Sequence, residues 1–182
     1  MNVTRDGFIA GADNGLSWHF AYWSGDMARE AAEQLDKADT ILLGRITYVA
    51  MAAYWPFQTF NPNFAREDIV FADMMNNHKK VVFSKTLIDT CWNNSLILTD
   101  GLPEEVHKLK QECGKDIIVL GSASIVNALI QSDLVDEYQL WLHPLELGDG
   151  KPLFQQPFMK KKLKLVDKKR FISGVVLQFY KR

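Results

Sequence analysis

The chain carries only two cysteines among 182 residues, Cys91 and Cys113. They form no CxxC pair and cannot make a disulfide framework, so they read as reduced thiols of a cytoplasmic protein. No apolar run reaches membrane-spanning length, and the first residues lack the basic start and apolar core of a signal peptide. Net charge is nearly absent too, at -1, which argues against a general electrostatic grip on nucleic acid. No set of His, Cys and acidic residues shows metal-ligand spacing, and no linker, repeat or low-complexity tract divides the chain. The expectation is one domain over residues 1–182, long enough to bury a sizeable core.

What is present is an alternation of strand and helix signals. Residues 116–128, DIIVLGSASIVNA, hold four apolar, β-branch-rich residues that read as a strand buried on both faces. Gly121 ends the run. Ser122, Ala123 and Ser124 are small, and Ile125, Val126, Leu129 and Ile130 resume at amphipathic-helix spacing. A helix start among small residues leaves backbone N–H groups open to an anionic phosphate. The alternative is that Gly121 only permits a tight turn.

The same junction recurs at residues 40–48, where the strand TILL runs into Gly44-Arg45-Ile46-Thr47-Tyr48. An arginine at a helix start is slightly disfavoured by the dipole, which invites a functional reason for it. Residues 80–83 give a third strand, ending in Ser84-Lys85-Thr86, so polar groups again collect where open α/β sheets bind ligands. A fourth strand covers 95–99, and a helix with proline and acids in its first turn follows Gly101 and is closed by Gly114.

Between these signals, residues 1–4 read as a first strand, and residues 7–18, GFIAGADNGLSW, as a glycine-rich loop that either lies against a ligand or is pinned by Phe8, Ile9 and Trp18. Ser24 and Asp26 are capping candidates for a helix packing through Ala28, Ala31, Ala32, Leu35 and Ala38. Residues 54–63, YWPFQTFNPN, read as neither strand nor helix, and either roof a ligand or cap the core. Residues 64–77 form a helix with Phe71 and Met74 or Met75 inward. Strand 138–142, a shaped loop over 147–154, and a hairpin of 159–171 with 175–180 complete the chain. Lysines 160–162 and 168–169 with Arg170 alternate with apolar residues, which fits a solvated edge strand better than a nucleic-acid surface.

The ordered set DGFIAG, TILLGRITY, KKVVFSKTL, IIVLGSASIVNALI, LVDEYQLWLHPLELGDGKPLF and SGVVLQFY resembles the reductase domain of the riboflavin-biosynthesis deaminase-reductase and its stand-alone relatives, of the dihydrofolate reductase-like superfamily. The resemblance implies an α/β fold with a central, mixed but mostly parallel sheet of about eight strands, flanked by helices and ending in an antiparallel hairpin. It implies NADPH as cofactor. Gly44, Arg45 and Thr47 would hold phosphate at one helix start, Ser84 and Lys85 would face the adenosine 2′-phosphate, and Gly121, Ser122, Ala123, Ser124 and Ile125 would cradle the pyrophosphate. Ile9 and Leu16, in the segment with Asn14 and Gly15, would lie near the nicotinamide. Asp6, Trp18 and Asp26 would face the substrate. Asp26 is the nearest candidate for a catalytic acid, and is equally a helix cap.

The implied reaction is that of a 5-amino-6-(5-phosphoribosylamino)uracil reductase, with a dihydrofolate or pterin reductase, or a silent NADPH-binding module, as alternatives. The zinc-deaminase signature, His-x-Glu with Pro-Cys-x-x-Cys, is not in this sequence. The implied partners are a small heterocyclic substrate and, from the frequency of two-fold oligomers, a second copy of the chain.

Overall fold

Short runs of β-branched and apolar residues become strands, and 3.6-periodic stretches opened by glycine, proline or acids become helices. The computed structural model describes residues 1–64, 66–154 and 162–182. In chain order the elements are β1 (Asn2–Thr4), β2 (Phe8–Ala10), a 3-10 segment (Ser17–Tyr22), α1 (Gly25–Asp36), β3 (Ala38–Gly44), α2 (Arg45–Ala52), α3 (Trp55–Gln58) and α4 (Arg66–Asn77). There follow β4 (Lys79–Phe83), β5 (Ser95–Leu98), α5 (Leu102–Leu109), β6 (Asp116–Val119), α6 (Ala123–Gln131), β7 (Glu137–His143), β8 (Lys151–Pro152), β9 (Lys164–Arg170) and β10 (Val176–Lys181). The chain divides into two compact units, residues 28–128 and the remainder, and passes between them within α1 and within α6.

The unit of residues 28–128 is built on a four-stranded parallel sheet, β5-β4-β3-β6. Parallel strands are covered on both faces, which is why β3 and β4 read as near-continuous apolar runs. Their side chains Ile41, Leu43 and Val82 join Leu35, Tyr48, Ala52, Met75 and Trp92 in one core. A polar network runs through it. The Trp92 backbone N–H donates to Tyr48 Oη at 3.1 Å, and Trp92 Nε1 donates to Asn76 Oδ1 at 2.7 Å. The fully buried Lys80 donates to the carbonyls of Met75 and Asn76, at 3.0 and 2.7 Å, and its Nζ lies 4.5 Å from the centre of the Trp92 ring. Two carbonyls at the end of α4 are thereby satisfied by a cation, the sign that a helix C-terminus favours. Burial still pushes Lys80 down from 10.5 to about 8.

The other unit holds the mixed sheet β1-β7-β10-β9, in which β1 runs parallel to β7 and the C-terminal strands are antiparallel, and the small ladder β2-β8. β9 is an edge strand exposed at every position. Its Lys164, Lys168, Lys169 and Arg170 discourage another strand from adding there.

Several expectations are corrected. The expected α/β architecture, a parallel sheet flanked by helices with a C-terminal antiparallel hairpin, is present, but among the described residues the strands fall in three sheets rather than one, because β1, β7, β10 and β9 pair only among themselves. The loop 7–18 contains strand β2, paired with β8 inside the other expected loop; Gly150, at φ 146°, lets the chain pass so close to Ala10 that a Cβ there would collide with the Ala10 carbonyl. Residues 54–63 include the one-turn helix α3, which carries Pro56 in its first turn. Helix α1 buries Met27, Glu30, Gln34 and Leu35 rather than an alanine stripe, with Gln34 Nε2 donating to Glu30 Oε1 at 3.1 Å, and Ala38 belongs to β3. Helix α5 stops at Leu109, ahead of Gly114. The expected strand start at Met159 and the basic residues Lys160 and Lys161 lie outside the described residues.

Candidate functional site

In a parallel sheet every strand presents its carboxyl end at the same edge, so the junctions singled out in β3, β4 and β6 meet there. Leu42 is in register with Val119, and Gly44 with Phe83. The ends of β3 and β6 therefore lie side by side, and each feeds a helix, α2 and α6.

The two junctions are in contact. A Cβ on Gly44 would stand 2.5 Å from Ser122 Oγ and 3.1 Å from Ser122 Cβ, and one on Gly121 would stand 3.2 Å from Thr47 Cγ2. At Gly44 a side chain would collide with Ser122, and at Gly121 it would press on Thr47, so glycine favours the close approach at both places. Ser122 takes a left-handed φ of 78°, which turns the chain from β6 into α6, and its hydroxyl lies 2.8 Å from that of Ser124. No side chain caps α2. The first N–H groups of a helix have no partner inside it, so the neighbouring starts of α2 and α6 offer two sets of donors and two positive dipole ends to one anion. Arg45 opens α2, exposed, and among the described residues it has no ion-pair or hydrogen-bond partner. Ala123 and Ile125 are buried and anchor the turn of α6, while Ser124 faces solvent.

Ser84 and Lys85 lie beyond the end of β4. The Ser84 hydroxyl accepts the N–H groups of Thr86, at 3.1 Å, and Leu87, at 2.9 Å, so it builds the turn and retains only its proton for another partner. Lys85 pairs with Asp100 at 2.6 Å, which raises the lysine and lowers the carboxyl from their ordinary ranges. Both border a shallow cavity of about 320 Å³ lined also by Phe83, Thr99, Gly101 and Leu102. Asp100 was not foreseen. Its only trace in the sequence is an acid directly after a strand and before Gly101.

The remaining predicted residues, Asp6, Ile9, Leu16, Trp18 and Asp26, belong to the other unit. Ile9 is buried in β2, and Leu16 is about half exposed. Asp6 accepts from the Thr4 hydroxyl at 2.5 Å and from the N–H groups of Leu147 and Gly148, at 3.0 and 2.8 Å. The Thr4 bond foremost, then these amides, hold its carboxyl below the ordinary range. Asp26 accepts from the Ser24 hydroxyl and from the N–H groups of Met27, at 3.1 Å, and Ile172, at 3.2 Å, and is lowered first by Ser24. Both carboxylates are occupied in joining loops.

Trp18 leads to a residue that sequence reasoning passed over. His143 ends β7 beside Thr4 at the end of β1, and it is fully buried. Trp18 meets it edge to face with ring centres 5.0 Å apart, and Tyr22 does so at 5.6 Å. Burial, then the nearby His19, push His143 from 6.5 down to about 4. Its Nε2 lies 3.1 Å from Asn2 Oδ1, so Nε2 carries the proton and Nδ1 the lone pair. That Nδ1 and Trp18 Nε1 are buried without a partner among the described residues. The available signal was His-Pro directly after an alternating strand.

Comparison with known proteins gives this geometry a context. The family model of the RibD C-terminal domain matches residues 1–177. Two Bacillus subtilis (strain 168) proteins are similar along almost the whole chain. The uncharacterized protein YyaP is 37% identical over 180 residues, covering 99% of this chain and 91% of its own, and the uncharacterized protein YwjB is 27% identical, covering 97% and 92%. Among solved structures, a pyrimidine reductase-like protein from Corynebacterium diphtheriae superposes with a TM-score of 0.67 at 15% identity, covering 99% of this chain and 88% of that one. The diaminohydroxyphosphoribosylaminopyrimidine deaminase/5-amino-6-(5-phosphoribosylamino)uracil reductase of Thermotoga maritima superposes with a TM-score of 0.66 at 16% identity, over 99% of this chain and 54% of that longer one. At such identities the structural likeness establishes the fold.

Proposed function

Because this chain belongs to the RibD C-terminal domain family, we propose that it is an NADPH-dependent reductase of a flat heterocycle. The first candidate is the aminopyrimidine named for the Thermotoga maritima relative, and a pterin is the alternative. The observation that carries this reading is the double glycine junction, where a side chain would collide with Ser122 at Gly44 and crowd Thr47 at Gly121, and two helix starts converge. A dinucleotide's phosphates match both features, because they need close backbone approach and positive dipole ends. Arg45, exposed and unengaged among the described residues, adds a cation that can grip a phosphate through two N–H groups.

In this reading Gly44, Arg45 and Thr47 hold one phosphate, and the turn 121–125 holds the pyrophosphate. Ser84 and Lys85 receive the 2′-phosphate that separates NADPH from NADH, once Lys85 leaves Asp100. Ile9 and Leu16 lie along the nicotinamide, and Asp6, Trp18 and Asp26 serve the substrate side. NADPH, when bound, supplies the hydride, so the protein's work is to align two flat partners and exclude water. This accounts for a site with few candidate acids.

A second reading has one observation in its favour. Asp26, the nearest candidate acid, is already held by Ser24, Met27 and Ile172, as expected of a nucleotide-binding module without turnover. The test is NADPH oxidation followed with the phosphoribosylaminouracil and with dihydropterin. Oxidation with either establishes the reductase. Binding of NADPH without oxidation transfers the reading to the module, and failure to bind NADPH overturns both.

A further inference from the structure

A strand turns residues two apart to one face, so Trp141 and His143, the last residue of β7, face the same way. The 3-10 segment Ser17–Tyr22 rests against them. Trp18 and Tyr22 meet the His143 ring edge to face with centres 5.0 and 5.6 Å away, His19 does so at 6.3 Å, and Trp23, just past the segment, leans on Trp141 at 6.3 Å. His143 is fully buried, yet no residue of the segment resting on it is buried. Six residues are also more than the hydrogen-bond geometry of a 3-10 helix ordinarily sustains. A displacement of that segment uncovers His143 without opening the core.

The polar groups of this cluster do not balance. Trp18 Nε1 is a donor only. Burial keeps His143 neutral, and the His19 ring and the N-terminal amine, both cations when charged, oppose a proton there as well. With Nε2 donating to Asn2 Oδ1 at 3.1 Å, Nδ1 is left with a lone pair to offer. Trp18 Nε1 and His143 Nδ1 are thus a buried donor and a buried acceptor on adjoining rings, and neither has a partner among the described residues. Buried polar groups are ordinarily paired, and each exception asks for a reason. A donor and an acceptor standing together are matched by a ligand group that holds an acceptor and a donor side by side.

We propose that Trp18 Nε1 and His143 Nδ1 are a specificity pair that reads a lactam edge of the substrate ring, Trp18 donating to its carbonyl oxygen and His143 accepting from the neighbouring ring N–H. The identity of the ring rests on the reductase reading, since an aminouracil and a pterin each carry an N–H beside a C=O. A lone hydroxyl also supplies both groups, but the surroundings select a flat ring. Phe20, tilted against His19 at 4.2 Å, and Trp23 remain 68% and 43% exposed, aromatic surface that a ring-shaped ligand covers. Sites of this kind are mostly apolar, and a few placed polar groups fix orientation. A ligand that leaves a buried donor and acceptor unpaired is rejected far more strongly than one that merely fits poorly. His143 therefore sets which ring is held and takes no part in hydride transfer.

The test is calorimetry of the whole chain with 6-aminouracil and with 6-amino-1,3-dimethyluracil, whose ring nitrogens carry no hydrogen, each with and without NADPH. Wild type should hold 6-aminouracil about tenfold tighter than the dimethyl ring, or better. Trp18→Phe and His143→Phe keep a ring in place but remove the donor or the acceptor, and each should weaken 6-aminouracil and bring the preference below about threefold. A methyl group that is only too large would be disfavoured equally in all three proteins, and that result overturns the proposal, as does a wild type that binds neither ring or both alike. Should the variants unfold, proton NMR of wild type decides: 6-aminouracil should move the Trp18 indole N–H resonance downfield and the dimethyl ring should leave it in place, and an indole unmoved by 6-aminouracil overturns the proposal. Failure to bind NADPH overturns the reductase reading alone, because the comparison made without cofactor still decides the pair.

Discussion

Replacing Gly44 with Ala tests the contact on which the proposed phosphate site depends. The backbone there, at φ −89° and ψ 161°, is one that any residue adopts, so the cost falls on packing alone. The added methyl would lie 2.5 Å from Ser122 Oγ, 3.1 Å from Ser122 Cβ and 3.5 Å from Ile125 Cγ1. Ser122 cannot easily withdraw, because its left-handed backbone sets the turn and its hydroxyl is engaged with Ser124. Overpacking of this kind costs about 1–3 kcal/mol, and the lower entropy of the unfolded alanine chain returns about 0.4–1 kcal/mol. A net loss of about 1.5 kcal/mol lowers the melting temperature of a chain this size by roughly 3–6 °C. Separating the starts of α2 and α6 should also weaken NADPH binding about tenfold, or about 1.4 kcal/mol. Melting by circular dichroism and titration of tryptophan fluorescence read the two effects. Gly44→Ala combined with Ser122→Gly removes the obstructing side chain and should recover most of the stability. A single variant as stable as wild type, with unchanged affinity, would refute the reasoning.

Three further outcomes follow from other parts of the molecule. His143 titrates at about 4 in the folded chain against 6.5 unfolded, so the unfolded chain binds the extra proton between those values and stability falls as the pH falls from 6.5 to 4, by about 3 kcal/mol in all. Urea unfolding of His143→Phe should lack this component of the slope, and an identical slope in both proteins would remove His143 as its source. Trp92→Phe leaves Asn76 Oδ1 without its donor and weakens the contact of Lys80 with the ring, which should cost about 2–3 kcal/mol in urea unfolding; a loss below about 0.5 kcal/mol would mean that the network contributes nothing. Asp100→Asn releases Lys85 from its ion pair, and should tighten NADPH several-fold while leaving NADH nearly unchanged; equal effects on both would place the 2′-phosphate elsewhere.

Much of the fold was legible because buried parallel strands announce themselves locally. The runs of β3, β4 and β6, each followed closely by Gly or Ser and, after β3 and β6, by a helical period, pointed to both the parallel sheet and the proposed ligand edge without any long-range information. Strand β2 was not legible: its three residues sit between glycines, and their partner β8 is two residues more than a hundred positions away. The division into separate sheets is likewise a matter of which strands pair. Helix α3 was concealed by aromatic residues, although Pro56 at a helix start is a usable signal. At the site, glycine positions showed where backbone must come close, but not that Gly44 and Gly121 face each other's junctions. The Lys85–Asp100 pair and the occupied carboxylates of Asp6 and Asp26 depend on which loops the fold brings together. His143 lies two residues beyond Trp141, on the same face of β7, and both are buried.

The central claim, that the ends of β3 and β6 hold the phosphates of NADPH, is tested most directly by titrating the protein and Arg45→Ala with NADPH and with NADH. The five tryptophans supply the signal. The account predicts that wild type binds NADPH and that Arg45→Ala weakens it by about 1.5–3 kcal/mol, roughly ten- to a hundredfold, the loss of one charge-assisted contact. Absence of binding by either cofactor, or NADPH affinity untouched by the loss of Arg45, would contradict it.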